Sequence, residues 1–544
     1  MLRKLSALAL TAALALASPA EAQTIVATEY GVAVDSTVSN IIPLRRALDA
    51  AGYQRRPGQV AVVQLPCGVI GYTGQASIPD SVLVRGCGGG DIAAATDAEG
   101  RPYTYVRPVA WDGRPETRLK VLDSSMLDDN GQPVVTRFGV RPGTTWMGVQ
   151  DLVLDGNWAG NLADYRAIPE DQVKPFLQDG NGAAAFALDG SAGRPECRGT
   201  PDPHGPGGRV TLHLRGVVIT GYAANGIVGT TCMWYDGERV SLGRALHNHT
   251  FYGGNGVFRD LTLDGWAWTN MVVMADLDVT NLTIRITEPN PSGRWNPEVV
   301  NVRQGRFTAR GVHAVTDGEG QLPLQLVRVD YGVVDVDTFV WHARTGSVLG
   351  QPGDGGAWRH GRIHGALESL IGGYYLGSPP ADGVAHTYLQ DIVVDGPVTD
   401  LLADRGQSPA RVCLDGVTAR RMFVVASLQE GSALAITNST LSLDPAMEPH
   451  TSGHTAIVAG RYVTPASICI DAATAGTLPA QRPAAATCAA VLAAAVPAPP
   501  EPTPAPQTEP PSLRYQWRTY EARRCVDTET GRLARAALCP PEGG

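Results

Sequence analysis

A chain of 544 residues that is 43% hydrophobic and 18% charged can bury a large core, which excludes disorder as its main state. Its 63 glycines and only 6% aromatic residues suit a turn-dense, repetitive architecture better than a helix bundle. A formal charge of −9 excludes a globally basic chain built to hold nucleic acid.

In chain order, Arg3 and Lys4 precede an apolar run from Leu5 to Ala17, and Ala20, Glu21 and Ala22 form a small-x-small cleavage site before Gln23. Residues 1–22 therefore read as a secretory signal peptide, and the expected location is secreted or periplasmic. No later apolar run is long enough to span a bilayer, so no membrane span is expected. Export permits disulfides. Neighbouring cysteines pair plausibly as Cys67 with Cys87, Cys197 with Cys232, Cys469 with Cys488 and Cys525 with Cys539, which leaves Cys413 over. No two cysteines show close zinc-ligand spacing.

Between about residues 210 and 445 a short pattern returns, a turn residue followed by alternating aliphatic positions. It is seen at RGVVITG from Arg215, RDLTLDG from Arg259, TNLTIRI from Thr280, RGVHAVTDG from Arg310 and QDIVVDG from Gln390. Period two with Val, Ile, Leu and Thr marks strands, not helices. Short strands recurring at one-coil spacing imply parallel stacking into a solenoid whose insertions fall in the turns. With Val217, Leu261, Leu282 and Val312 inward, Thr262, Thr283 and His313 point outward, with Asp264 and Arg285 outward two positions further on. His364 joins that stripe if Ile363 is inward.

The solenoid is expected to occupy residues 23–490, followed by a proline-rich linker over 491–512. Residues 513–544 are too few to fold without a staple, which Cys525 and Cys539 can supply. Trp517 and Tyr520 serve this module as core or as ligand contacts.

The segment YGVAVDSTVSNIIPLRRALDAAG from Tyr30, then VVQLPCGVIGYTGQASIPDSVLVRGCG from Val62, resembles the opening of the pectate-lyase-like superfamily of right-handed parallel β-helices. Ile42, Leu44 and Leu48 match its helical register, and Leu65, Pro66, Gly68 and Tyr72 its next strand. DLVLDGNWAGN from Asp151 resembles a coil of the same group. Ser36 and Thr37 stand where that group carries an acidic pair. The resemblance implies an all-β, right-handed, single-stranded parallel β-helix with an N-terminal capping helix and a small C-terminal module. It also implies a secreted, polysaccharide-active protein. The paired-Asp, Gly-His-Gly and Arg-x-Lys set of the polygalacturonase-like hydrolases has no counterpart in the repeat region, which contains no lysine. The DH and RxPxxR patterns of calcium-dependent pectate lyases are also missing.

Outward side chains of successive coils align about every 4.8 Å, so a polymer can lie along one face. RALHNHTFYGGN from Arg244 is the densest polar cluster, with His247 and His249 two apart and Tyr252 nearby. A histidine base and a tyrosine acid suit β-elimination on a uronate-containing polysaccharide. Such a lyase must neutralise the substrate carboxylate with arginine or a divalent cation, calcium among the candidates. Arg259, Arg285 and Arg303 lie on neighbouring coils, and His313, His342 and His364 fall in a second histidine-rich stretch that also holds His360 and Arg362. The expected site is thus His249 as base, Tyr252 as acid with His247 beside it, and Arg259, Arg285, His313, His342 and His364 on substrate.

Two alternatives stay open. A glycoside hydrolase of the same fold would use paired carboxylates, Asp264 with Asp276 or Asp278, with Asp151 and Asp155 a further pair. A non-catalytic surface adhesin would use neither set. The sequence leaves the oligomeric state open, a trimer included.

Overall fold

A computed structural model describes residues 23–470 apart from 88–115, 123–136, 158–183, 189–209, 287–297, 317–324, 373–384, 404–409, 444–457, 460–467 and shorter gaps, together with 515–518 and 524–527. The expected signal peptide, the linker and most of the C-terminal module lie outside the described residues.

The repeating strands stack in parallel into the expected β-helix, each coil pairing with the coils before and after it. Each coil contributes to three sheets. The first runs through 211–215, 234–238, 255–259, 277–280 and 306–310. The second runs through 217–220, 240–242, 261–264, 282–285 and 312–316. The third holds 227–229, 250–252, 271–274, 298–302 and 325–329.

One residue turns the first sheet into the second. Asp151, Gly216, Arg239, Asp260, Asn281, Gly311, Thr338, His360, Asp391, Gly416 and Asn438 occupy the same position on successive coils, all with φ between 50° and 69°. A single left-handed residue bends an extended chain sharply without adding length, and Asp and Asn tolerate that region better than branched residues do. The corner side chains answer one another up the stack. Asn281 Nδ2 donates to Asp260 Oδ1 at 2.9 Å, and corner residue His360 meets Asp337 Oδ1, just before the corner of the preceding coil, through Nδ1 at 2.7 Å.

Inside, Val217, Val240, Leu261, Leu282, Val312 and Phe339 form one continuous row, as the repeat pattern implies. The row next meets Gly361, where an added Cβ would stand 2.1 Å from Phe339 Cζ. Gly237 stands in the same relation to Phe258 on the first sheet, 2.2 Å from Cδ1. A missing side chain on one coil thus makes room for a large ring on its neighbour, which keeps the interior close-packed.

The N-terminal end is closed by a helix, α1 (Ile41–Gln54), which packs on strands 23–26, 61–64 and 75–78. Leu44, Ala47, Leu48 and Ala51 form its buried stripe. Ile42, expected on that stripe, is 58% exposed because the i, i+3, i+4, i+7 set starts at Leu44. Buried Asn40 anchors the helix start, accepting the Ala33 amide at 2.8 Å and donating to the Gly71 carbonyl at 3.2 Å. Asp80 joins cap and stack, taking the Thr145 amide at 2.6 Å and pairing with Arg55 at 2.9 Å.

Cys67 and Cys87 are disulfide-bonded, with Cα atoms 5.5 Å apart. Cys232 and Cys469 are also in disulfides. Cys413 is a free thiol buried in the stack, and burial pushes it up to about 12. Near the C-terminus, Tyr515–Arg518 and Arg524–Asp527 pair antiparallel as a separate two-stranded sheet.

Two substitutions test this account by denaturant unfolding of the full chain. Gly361→Ala is expected to lose about 1–3 kcal/mol because the new methyl displaces Phe339. Thr338→Asn, which replaces a branched residue in the left-handed region, is expected to gain up to about 1 kcal/mol. A loss on Thr338→Asn contradicts the corner argument.

Candidate functional site

From Trp146 onward the corner between the first and second sheets admits only its single left-handed residue. The long insertions therefore fall at the other two corners: 156–185 and 286–297 lie between second- and third-sheet strands, and 189–209 and 373–384 between third- and first-sheet strands. Both kinds of insertion attach to the edges of the third sheet. Loops carried by a rigid scaffold are where binding groups concentrate, so the third sheet is the face to examine.

Its outer face carries a charged cluster on two adjacent coils. The strand Glu298–Gln304 pairs with Thr269–Arg285 in register until a bulge, where Val302 faces Val273 but Gln304 faces Met274. Arg303 is the extra residue, and a bulge re-aims the side chain it inserts. Its guanidinium is exposed and lies 4.0 Å from Asp330 Oδ2. Arg328 on the next coil donates from Nε to Asp330 Oδ1 at 2.7 Å, and its Nη1 lies 3.9 Å from Glu298 Oε2. Glu298 is 3% exposed, and its Oε1 accepts from Thr269 Oγ1 at 3.1 Å and Asn301 Nδ2 at 2.8 Å.

Burial raises the Glu298 carboxyl above the usual range, against the opposing pull of Arg328 and the two hydrogen bonds. Two further buried oxygens, Asn301 Oδ1 and Gln325 Oε1, have no hydrogen-bond partner. Gln325 follows Glu298 in register, so this part of the stack is rich in acceptors, which favours a carboxyl that holds its proton. Protonation of Glu298 leaves two guanidinium groups facing the single carboxylate of Asp330.

The expected base is separated from the expected substrate residues, of which Arg285, His313, His342 and His364 share the second sheet. His249 is on the third sheet but fully buried, and its Nε2 donates to the Gly243 carbonyl at 2.9 Å. A bulge between Thr269 and Met271 shifts the register there, so His249 pairs with core residue Met271. Burial lowers His249 to about 4, and a base so enclosed cannot touch a polymer. Tyr252 lies on the third sheet opposite Met274 and in the row that leads to Gln304. His247 lies outside the described residues.

Arg259 is exposed on the first sheet, between Glu238 and Thr280. Arg285 is 8% exposed on the second sheet, in the row Asp264, Arg285, Val315. Arg259, Arg285 and Arg303 therefore sit on neighbouring coils but on three different sheets. His313 lies outward beside Thr283, as expected, but His364 belongs to the row of Arg285 and His342, two positions away. Arg362 takes the place in His313's row where His364 was expected.

The hydrolase pair fares similarly. Asp264 is on the second sheet while Asp276 and Asp278 are exposed on the first, so the corner lies between Asp264 and either partner. Asp276 accepts the Arg306 amide at 2.9 Å. Asp151 is a corner residue, and Asp155 is held by Arg118 at 2.9 Å. Among the described residues no three His, Cys, Asp or Glu side chains converge as a cation site requires, so no step through calcium is derived.

Glu298, Arg328 and Asp330 were not singled out in the sequence. Their signal was present: a Glu and an Asn inside the aliphatic run EVVNV, and the charged alternation of LVRVD from Leu326.

No protein-family model and no curated protein matches the sequence. Among solved structures, the chain is similar to the A-module of a mannuronan C-5 epimerase from Azotobacter vinelandii, at 13% identity and a TM-score of 0.33 over 80% of this chain and 99% of that one. It is also similar to a family 28 exopolygalacturonase from Yersinia enterocolitica, at 11% identity and 0.32 over 83% and 79%. A third is PfbA, a surface adhesin of Streptococcus pneumoniae, at 9% identity and 0.36 over 78% and 90%. These likenesses are too distant to carry an activity to this chain.

The buried His249 makes stability depend on pH. Between its ordinary value of 6.5 and about 4, the unfolded chain binds a proton that the folded chain refuses. Its contribution is thus complete above pH 6.5 and is lost as the pH falls toward 4, by about 3 kcal/mol. Unfolding curves between pH 7 and 4 should be shallower in pH by that amount for His249→Met. An unchanged slope contradicts the buried neutral imidazole.

Proposed function

We propose that the chain is an exported carbohydrate-active protein that cleaves an acidic, uronate-containing polysaccharide along the third sheet by β-elimination. The observation that carries this reading is the convergence of bulged Arg303 and Arg328 on Asp330, on the sheet whose two edges receive the insertions. Two guanidiniums on adjacent coils are suited to neutralising a substrate carboxylate, which acidifies the neighbouring C5 proton. Asp330 accepts that proton, the C4–O bond breaks as a C4=C5 double bond forms, and Tyr252 protonates the departing oxygen. The first 22 residues and the Cys67–Cys87 disulfide support an extracytoplasmic location.

One observation favours hydrolysis as a second reading. Glu298, whose carboxyl burial raises, and Asp330 share Arg328, and two carboxyl groups in unlike surroundings are the pairing that glycoside hydrolysis uses.

Incubating the chain residues 23–544 with a panel of uronate polymers separates the readings. Elimination yields an unsaturated product that absorbs in the ultraviolet, hydrolysis yields reducing ends without that absorbance, and a binding protein yields neither. Arg328→Ala is expected to lower kcat/KM by about 100-fold or more. Full activity in both Arg328→Ala and Arg303→Ala removes the site from the third sheet.

A further inference from the structure

We propose that the outer face of the second sheet is a separate, histidine-gated binding strip for an acidic polysaccharide chain, formed by His313, His342, Arg362 and His364, with largely buried Arg285 in the same row as His342 and His364. The proposal takes its ligand class from the reading above but uses a different face and none of its residues.

Two adjacent outward rows make the strip. Thr283, His313, Val340 and Arg362 follow one another in register, and beside them run Asp264, Arg285, Val315, His342 and His364. The His342 and His364 rings stack with centroids 4.8 Å apart and planes at 22°. That separation is the spacing of successive coils, about 4.8 Å, so the imidazoles stand directly one above the other along the helix axis. The side chains of Arg362 and His364 are 59% and 34% exposed.

Asp395 lies 3.0 Å from His364 Nδ1 and 3.9 Å from Arg362 Nε, and Asp264 opens the second row. At the corner edge, His360 is engaged by Asp337 and Asp391, and Arg359 is paired with Asp335. With neutral imidazoles, Arg285 and Arg362 balance Asp264 and Asp395. Protonation of His313, His342 and His364 turns the same strip strongly cationic. It also sets two like charges face to face in the His342–His364 stack, a repulsion that an arriving carboxylate relieves.

Shape selects among polyanions. The strip is two side chains wide and is interrupted by half-buried Val315 and Val340. A thin extended chain bearing one carboxylate per ring follows such a line along the axis, whereas a bilayer surface needs a broad basic patch.

The experiment measures binding of polygalacturonate to the chain at pH 7.5 and pH 5.5, with anionic phosphatidylserine vesicles in parallel. Affinity for the polymer is expected to rise about tenfold on acidification. The rise should vanish in the triple variant His313→Gln, His342→Gln, His364→Gln, and exposed Arg362→Ala should weaken binding at both pH values without risk to the fold. Arg303→Ala with Arg328→Ala should leave the rise intact, whether or not the chain cleaves any uronate polymer, so failure of the third-sheet reading is seen separately. A rise that persists in the triple variant, unaltered binding in Arg362→Ala, or acid-dependent binding of vesicles but not polymer overturns the proposal.

Discussion

A single left-handed residue, repeated at one position on every coil from Asp151 to Asn438, is the constraint on which the rest of the structure depends. It fixes the angle between the first two sheets while using no extra chain, so the strands on either side keep the same register from coil to coil. A corner with no spare length cannot absorb an insertion. Insertions are forced to the remaining corners, and both border the third sheet. The position of the candidate site is thus a consequence of backbone geometry before any side-chain chemistry is considered.

The same regularity explains the interior. Rows that stack with no shift place like positions directly over one another, and a uniform row of large residues would overfill the column. Phe258 over Gly237 and Phe339 against Gly361 resolve this by pairing large with absent side chains on adjacent coils. The glycines of the repeat region are therefore partly packing residues, and the high glycine content reflects more than turns.

Much of the fold was legible in the sequence because inward rows follow period two. Val217, Leu261, Leu282 and Val312 stack as that period implies, and Thr262, Thr283 and His313 lie outward in step. What period two does not encode is which of three sheets a strand segment joins, since each corner restarts the alternation. Arg259, Arg285 and Arg303 were separated for that reason. Bulges add a second loss: one residue out of step opposite Asn248 and His249 puts a histidine into the core, and another inserts Arg303 as an extra residue. Glu298 was hidden for a different reason. Its role depends on Arg328 and Asp330 one coil later, a contact that sequence distance conceals and coil stacking creates.

The two charged faces also differ in how they hold their charge. On the third sheet the cations are committed to carboxylates at short range, Arg328 to Asp330 and toward buried Glu298, so the arrangement is preorganised and changes little with the solvent. On the second sheet the proposed strip is built on partly exposed imidazoles, with His342 and His364 stacked across adjacent coils. Among the described residues one continuous apolar cluster lies between the faces, so substitutions on one should leave the other's behaviour nearly additive. On the proposed reading, such a coil keeps a reacting site and a separate holding surface on different faces of one stack.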